Sequence, residues 1–173
     1  MQLYNAAIAD FNRALKLDPN YAWAIANRGE TYLLMQHGRQ GAEVPSAQRP
    51  YYDAALADLN RAIDAVNAAP GGNLQENFDL DSQSARAFGN RGETYLLMQR
   101  YDEALVDLNR ALNLDSQSAR TLGNRGELYR LTGRYDEALT DLNRAIELLP
   151  DNDWLLHHRN LVYQALDQAN KQS

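Results

Sequence analysis

Asparagine recurs in one setting three times, at Asn27, Asn90 and Asn124, each time opening the run Asn-Arg-Gly-Glu. A carboxamide both donates and accepts hydrogen bonds, so it can hold a peptide backbone without demanding a particular side chain. Spacings of three to four residues group Trp23, Asn27 and Glu30 on one helical face, Arg86, Asn90 and Glu93 on a second, and Arg120, Asn124 and Glu127 on a third. The glutamates Glu30, Glu93 and Glu127 would favour a ligand with basic groups, and a solvated charged row is the plainer reading of them. Asparagines that bond only each other or the scaffold are the corresponding plain reading of Asn27, Asn90 and Asn124.

Other chemistry-bearing groups are sparse. There are no cysteines, which excludes disulfides, thiolate metal sites and a cysteine nucleophile. His157 and His158 are adjacent and point about 100 degrees apart on a helix, and His37 falls in an irregular segment, so no metal site is expected. Asp79-Leu80-Asp81 looks like the start of a calcium loop, but the required glycine and closing glutamate are missing, and helix capping by Asp81 or Ser82 explains it better. No phosphate-binding glycine loop, nucleophile elbow or histidine-based acid/base pair is present. The expectation is no catalytic residue, no cofactor and no enzyme.

The trios need helices to position them, and the periodicity supplies these. Residues 82–115 and 116–149 align without a gap and agree at about 24 of 34 positions, a period of helix-turn-helix solenoids. Each of these two segments is predicted to be a helical hairpin, joined by Asp115-Ser116, whose hydroxyl can cap the incoming helix. An earlier hairpin spans 21–67, with an inserted loop at 37–49, and an inserted linker covers 68–81, including Pro70-Gly71-Gly72. Residues 2–17 form a second helix without its first, so the chain is expected to start mid-repeat, as a processed fragment would. A terminal helix covers 151–170.

The hairpins carry a second repeated charge pattern. Arg28, Arg91, Arg125 and Arg159 lie on first helices, and Asp10, Asp58, Asp107 and Asp141 lie on second helices within the run Asp-x-Asn-Arg-Ala. Pairing inside hairpins would strand Asp10 and Arg159. Pairing each aspartate with the arginine of the following hairpin satisfies all four, which predicts Asp10 with Arg28, Asp58 with Arg91, Asp107 with Arg125 and Asp141 with Arg159. Glycine in a helix interior costs about 1 kcal/mol relative to alanine. Gly29, Gly92 and Gly126 therefore need a packing reason, and the expected one is close approach to Ala55, Ala104 and Ala138.

These positions resemble the tetratricopeptide repeat. The first hairpin supplies Ile25, Gly29, Tyr32, Ala55 and Leu59; the second Phe88, Gly92, Tyr95, Ala104 and Leu108; the third Leu122, Gly126, Tyr129, Ala138, Leu142 and Pro150. Arginine stands where the family pattern has leucine before the glycine. The resemblance implies an all-α fold, a right-handed superhelical solenoid of antiparallel helix pairs with about seven helices in one domain over 1–173. It also implies a concave groove lined by first helices, which takes an extended peptide or a partner helix. The residues at groove positions are Trp23, Asn27, Glu30, Arg86, Asn90, Glu93, Arg120, Asn124 and Glu127. Family members that clamp a C-terminal carboxylate combine lysines and arginines with asparagines there. Arg86 and Arg120 fit, but Gly89 and Gly123 take the place of a lysine, so a copy of that clamp is not expected. The same two glycines leave space for a ligand.

A formal net charge of -6 and the lack of any Lys/Arg run argue against nucleic acid and against an anionic membrane surface. No apolar run reaches membrane-spanning length and the first residues do not read as a signal peptide, so the expectation is a soluble, cytoplasmic protein. The leading reading is a protein-interaction scaffold binding a peptide or partner protein through the groove. A second is a self-assembling element that forms a homo-oligomer through Leu3, Ile8, Phe11 and Leu15, left uncovered on the unpaired first helix. A third places specificity in the insertions.

Overall fold

The structure, a computed structural model, describes residues 2–37, 49–68 and 74–172. These form eight helices, α1 (Gln2–Leu17), α2 (Ala22–His37), α3 (Arg49–Ala68), α4 (Leu74–Leu97), α5 (Tyr101–Leu114), α6 (Ala119–Leu131), α7 (Tyr135–Leu148) and α8 (Asp153–Gln172). The helices group into two compact units, Met1–Leu114 with α1 to α5 and Asp115–Ser173 with α6 to α8. In unit 1, α2 pairs with α3 and α4 with α5, while α2 and α4 also lie side by side. In unit 2, α6 pairs with α7, and α8 packs on both.

Of the linker expected at 68–81, residues 69–73, with Pro70-Gly71-Gly72, lie outside the described residues, and 74–81 are helical as the start of α4. No proline or glycine follows Gly72 until Gly89, so nothing stops α4 from starting at Leu74. Most of the loop expected at 37–49 lies outside the described residues; its flanks are helical, with Pro50 in the first turn of α3. The cap of α6 is Ser118, whose hydroxyl accepts from the Thr121 N–H, rather than Ser116. The two short hairpin turns are alike. Gln99 (φ 60) and Gly133 (φ 76) occupy the left-handed region, and Arg100 N–H and Arg134 N–H bond back to the carbonyls of Tyr95 and Tyr129 at 2.8 Å.

Close packing inside each hairpin turns on one glycine and one leucine. A Cβ added at Gly29, Gly92 or Gly126 would lie 3.1, 2.8 or 2.7 Å from Cγ of Leu59, Leu108 or Leu142. The glycines thus admit the leucine of the Asp-x-Asn-Arg helix, and the expected alanine approach is secondary, seen as carbonyl oxygens of Ala55 and Ala138 at 3.3 Å. Unit 1 is filled by Ile25, Ala62, Ile63, Ala87, Phe88 and Ala111, with Leu15 and Ala26 packed against them.

The apolar strip of α1 is smaller than expected. Leu3 is 85% exposed, but Ile8, Phe11 and Leu15 are half-buried, because α2 packs across them and Phe11 meets the Trp23 ring edge-on at 6.0 Å. Leu17, outside that set, is 90% exposed.

Candidate functional site

The arginine rungs tie each helix that carries a trio to its hairpin partner. Arg28 donates from Nε and Nη2 to Asp58 at 2.7 and 2.7 Å, Arg91 to Asp107 at 2.6 and 2.8 Å, and Arg125 to Asp141 at 2.7 and 2.9 Å. All three pairs lie inside hairpins, which overturns the expected pairing between neighbouring hairpins. The cause is the glycine–leucine approach. Each arginine directly precedes the glycine and each aspartate directly precedes the leucine, so the close contact sets guanidinium against carboxylate. These carboxylates are buried, and two parallel charge-assisted bonds are the geometry that makes such burial tolerable. The hydrogen bond to aspartate holds each guanidinium above its ordinary range, ahead of the opposing effect of burial.

Two of these arginines, and Arg159 of α8, also reach the preceding Asp-x-Asn-Arg helix through an asparagine to which the sequence alone assigns no role. Nη1 of Arg28 donates to Asn12 at 2.5 Å, Nη1 of Arg91 to Asn60 at 2.6 Å and Nη1 of Arg159 to Asn143 at 3.3 Å. Its signal was the asparagine of the fourfold Asp-x-Asn-Arg run. Asp10 pairs instead with Arg13 one turn away, and Nε of Arg159 is buried without a partner.

The unit 1 trios face one another across α2 and α4 as a polar chain. Asn27 donates from Nδ2 to the Trp23 carbonyl at 2.6 Å and accepts at Oδ1 from Arg86 Nη2 at 3.1 Å. That same Nη2 lies 3.0 Å from Glu30 Oε2, which also accepts from Asn90 Nδ2 at 3.3 Å. Asn27 therefore has donor and acceptor both engaged within the chain. Asn90 and Glu93 are each only 5% exposed. Glu93 lies close enough to the buried Tyr52 phenol to help burial push its pKa up, burial being the larger cause. The residues left at the surface are Arg86, whose side chain is 52% exposed, and Trp23, 43% exposed, its ring stacked on Tyr21 at 5.8 Å.

Unit 2 treats the corresponding face differently. Arg120 is exposed and Asn124 is buried. Glu127 accepts two bonds from Arg130 at 2.7 Å, so neither Glu30 nor Glu127 stands as an uncompensated acid. The space expected at Gly123 is occupied: a Cβ there would lie 2.6 Å from Leu155 and 2.9 Å from Trp154, both on α8. Trp154 stacks on His158 with centroids 3.8 Å apart. His158 bonds through Nδ1 to the Trp154 carbonyl at 2.8 Å, which requires the proton on Nδ1, and its Nε2 lies 3.9 Å from Glu127. Burial, the largest influence, pushes this imidazole below its usual pKa.

Arginines also lie over the hairpin tyrosines, Arg100 4.5 Å and Arg91 6.0 Å from the Tyr95 ring centre, Arg134 4.2 Å and Arg125 5.8 Å from that of Tyr129. Among the described residues no group of three or more His, Asp or Glu side chains is placed to hold a metal ion, and no helix is long and apolar enough to cross a membrane.

The sequence matches the family profile described as tetratricopeptide repeat over residues 83–151 and the one described as TPR repeat over residues 2–36, together more than half of the chain. Solved structures are similar at low identity. A thermophilic TPR protein of Thermus thermophilus is 23% identical, with a TM-score of 0.69 over 94% of this chain and 74% of that one. The first TPR of Spaghetti (RPAP3), bound to the HSP90 peptide SRMEEVD, is 20% identical, with a TM-score of 0.62 over 84% and 95%. The second TPR domain of human RPAP3, in complex with the HSP70 peptide SGPTIEEVD, is 22% identical, with a TM-score of 0.58 over 82% and 94%. At these identities the likeness is one of fold.

Proposed function

The chain belongs to the tetratricopeptide repeat family, and from that premise we propose that it is a protein-interaction module, not an enzyme, which takes a peptide segment of a partner protein on the α2 and α4 face of unit 1. The observation that carries this reading is Arg86. Its Nη2 is held by Asn27 and Glu30 while the rest of a half-exposed guanidinium remains available, a donor fixed in place before any ligand arrives. Similar structures that bind peptides support the class of ligand. Their acidic peptides are not carried over, because Gly89 and Gly123 stand at the lysine positions of a carboxylate clamp.

Of the nine groove positions, the reading gives ligand contact to Trp23 and Arg86 in unit 1, with Asn27, Glu30, Asn90 and Glu93 beneath them as support. Arg120 is the exposed member of the unit 2 trio, with Asn124 buried and Glu127 spent on Arg130. The test is selection of peptides from a displayed random library on the immobilised chain, followed by fluorescence anisotropy. The double variant Trp23→Ala/Arg86→Ala should bind the selected peptides at least about tenfold more weakly, ~1.4 kcal/mol, with an unchanged helical signal. Equal affinity in that variant contradicts the reading.

Self-association through α1 is a second reading, favoured only by the exposure of Leu3 and Leu17. It predicts a mass that rises with concentration in light scattering and falls back in Leu3→Glu/Leu17→Glu.

A further inference from the structure

Resting on that interaction reading, we propose that the unit 1 face selects a charge-neutral peptide segment with an aromatic or proline ring on Trp23 and one of its backbone carbonyls on Arg86. Four observations combine. The Trp23 ring is set by Tyr21 stacked at 5.8 Å and 29° and by Phe11 edge-on at 6.0 Å and 69°, and it still leaves 43% of the residue exposed. A ring held on two sides and open elsewhere is a platform for another flat apolar group. Asn27 ties this platform to Arg86, spending its Nδ2 on the Trp23 carbonyl and its Oδ1 on Arg86 Nη2. The two contact points therefore sit on one hydrogen-bonded chain, and Asn27 is a positioning residue within it.

The third observation concerns charge. Arg86 lies 3.0 Å from Glu30 Oε2, so the pair is neutral before a ligand binds. A ligand carboxylate approaching Arg86 meets Glu30 beside it and a chain of net charge -6, while a ligand ammonium meets Arg86. A neutral acceptor suffers neither repulsion. Fourth, a guanidinium has five N–H donors, and the bonds of Arg86 to Asn27 and Glu30 both come from Nη2, leaving Nε and Nη1 to donate to a carbonyl. Proline and aromatic side chains are the two ring types that extended peptides bring to aromatic surfaces while keeping their carbonyls outward.

The probe is a displayed library of random peptides, and the readout is the composition of what is retained. Enriched peptides should share an aromatic residue or proline and have a net charge near zero. Replacing that ring residue by alanine should weaken binding about two- to tenfold, and affinity should change less than about twofold between low and high salt. The chain has two tryptophans, so in Trp154→Phe the emission of Trp23 alone reports contact and should shift on binding. Trp23→Phe should retain affinity within about twofold, and Trp23→Ala should not. Enrichment of acidic or basic peptides overturns the proposal and leaves the interaction reading standing. So does binding of ring-containing peptides that leaves Trp23 emission unmoved. No enrichment at all overturns both.

Discussion

Unit 1 and unit 2 carry nearly the same run, Asn90 to Tyr95 on α4 and Asn124 to Tyr129 on α6, and the two copies meet different surroundings. In unit 1 the residues beside that run stay at the surface, with Arg86 braced by Asn27 and Glu30 and with Trp23 open. In unit 2 the face of α6 is met by α8, whose Trp154 and Leu155 lie on Gly123 and whose His158 reaches toward Glu127. Nearly identical runs therefore present different surfaces through their neighbours: a glycine that leaves room in the sequence is the seat of a tryptophan in the fold. The arginine–aspartate rungs, in contrast, are the same in both units.

The largest expected effects test that sameness. Asp107→Ala in unit 1 and Asp141→Ala in unit 2 each take the carboxylate from two part-buried guanidinium donors, and each should cost about 2–3 kcal/mol in urea unfolding. Unequal losses would show that the rungs are not equivalent. Next, Gly123→Leu should force Trp154 and Leu155 off α6, at a cost of about 1–2 kcal/mol and with a red shift of Trp154 emission. An unshifted spectrum would mean that α8 does not depend on that seat.

A smaller pair concerns the turns. Gln99 bears the left-handed conformation that Gly133 adopts freely, so Gln99→Gly should raise stability by about 0.5–1 kcal/mol and Gly133→Ala should lower it by about 1 kcal/mol. Thermal melts of both variants check this. The smallest effect is that of pH on unit 2. Burial holds the folded pKa of His158 below its ordinary 6.5, with His157 and Arg130 acting in the same direction and the Trp154 carbonyl and Glu127 opposing. The unfolded chain takes up this proton first, so the stabilisation is full above about 6.5 and is lost as pH falls through that value toward the folded pKa. His158→Phe should flatten this part of the pH profile, and a profile it leaves unchanged would place the titration elsewhere.

Much of the fold was legible because glycine, tyrosine, alanine and leucine recur at one period, and periodicity reports which residues share a face. It does not report how close two faces come. The inter-hairpin pairing of Asp58 with Arg91 failed for this reason: it maximised the number of pairs, whereas the Gly92–Leu108 contact had already set Arg91 against Asp107. Both halves of that argument were in the sequence, one residue apart. The trios fared in between. Spacing grouped Trp23, Asn27 and Glu30 on one face of α2, but only the fold shows that Asn27 is engaged by Arg86 and the Trp23 carbonyl, that Asn90 is buried, and that Glu30 is neutralised. The role of Asn12, Asn60 and Asn143 escaped because an asparagine at a regular interval says nothing of its donor.

The most direct test of the contrast between the two faces is a titration of the 15N-labelled chain with a library-selected peptide, following the two tryptophan indole N–H signals. The account predicts that the Trp23 indole and the Arg86 side-chain signals shift while the Trp154 indole stays in place. Movement of Trp154 with Trp23 unchanged would contradict it.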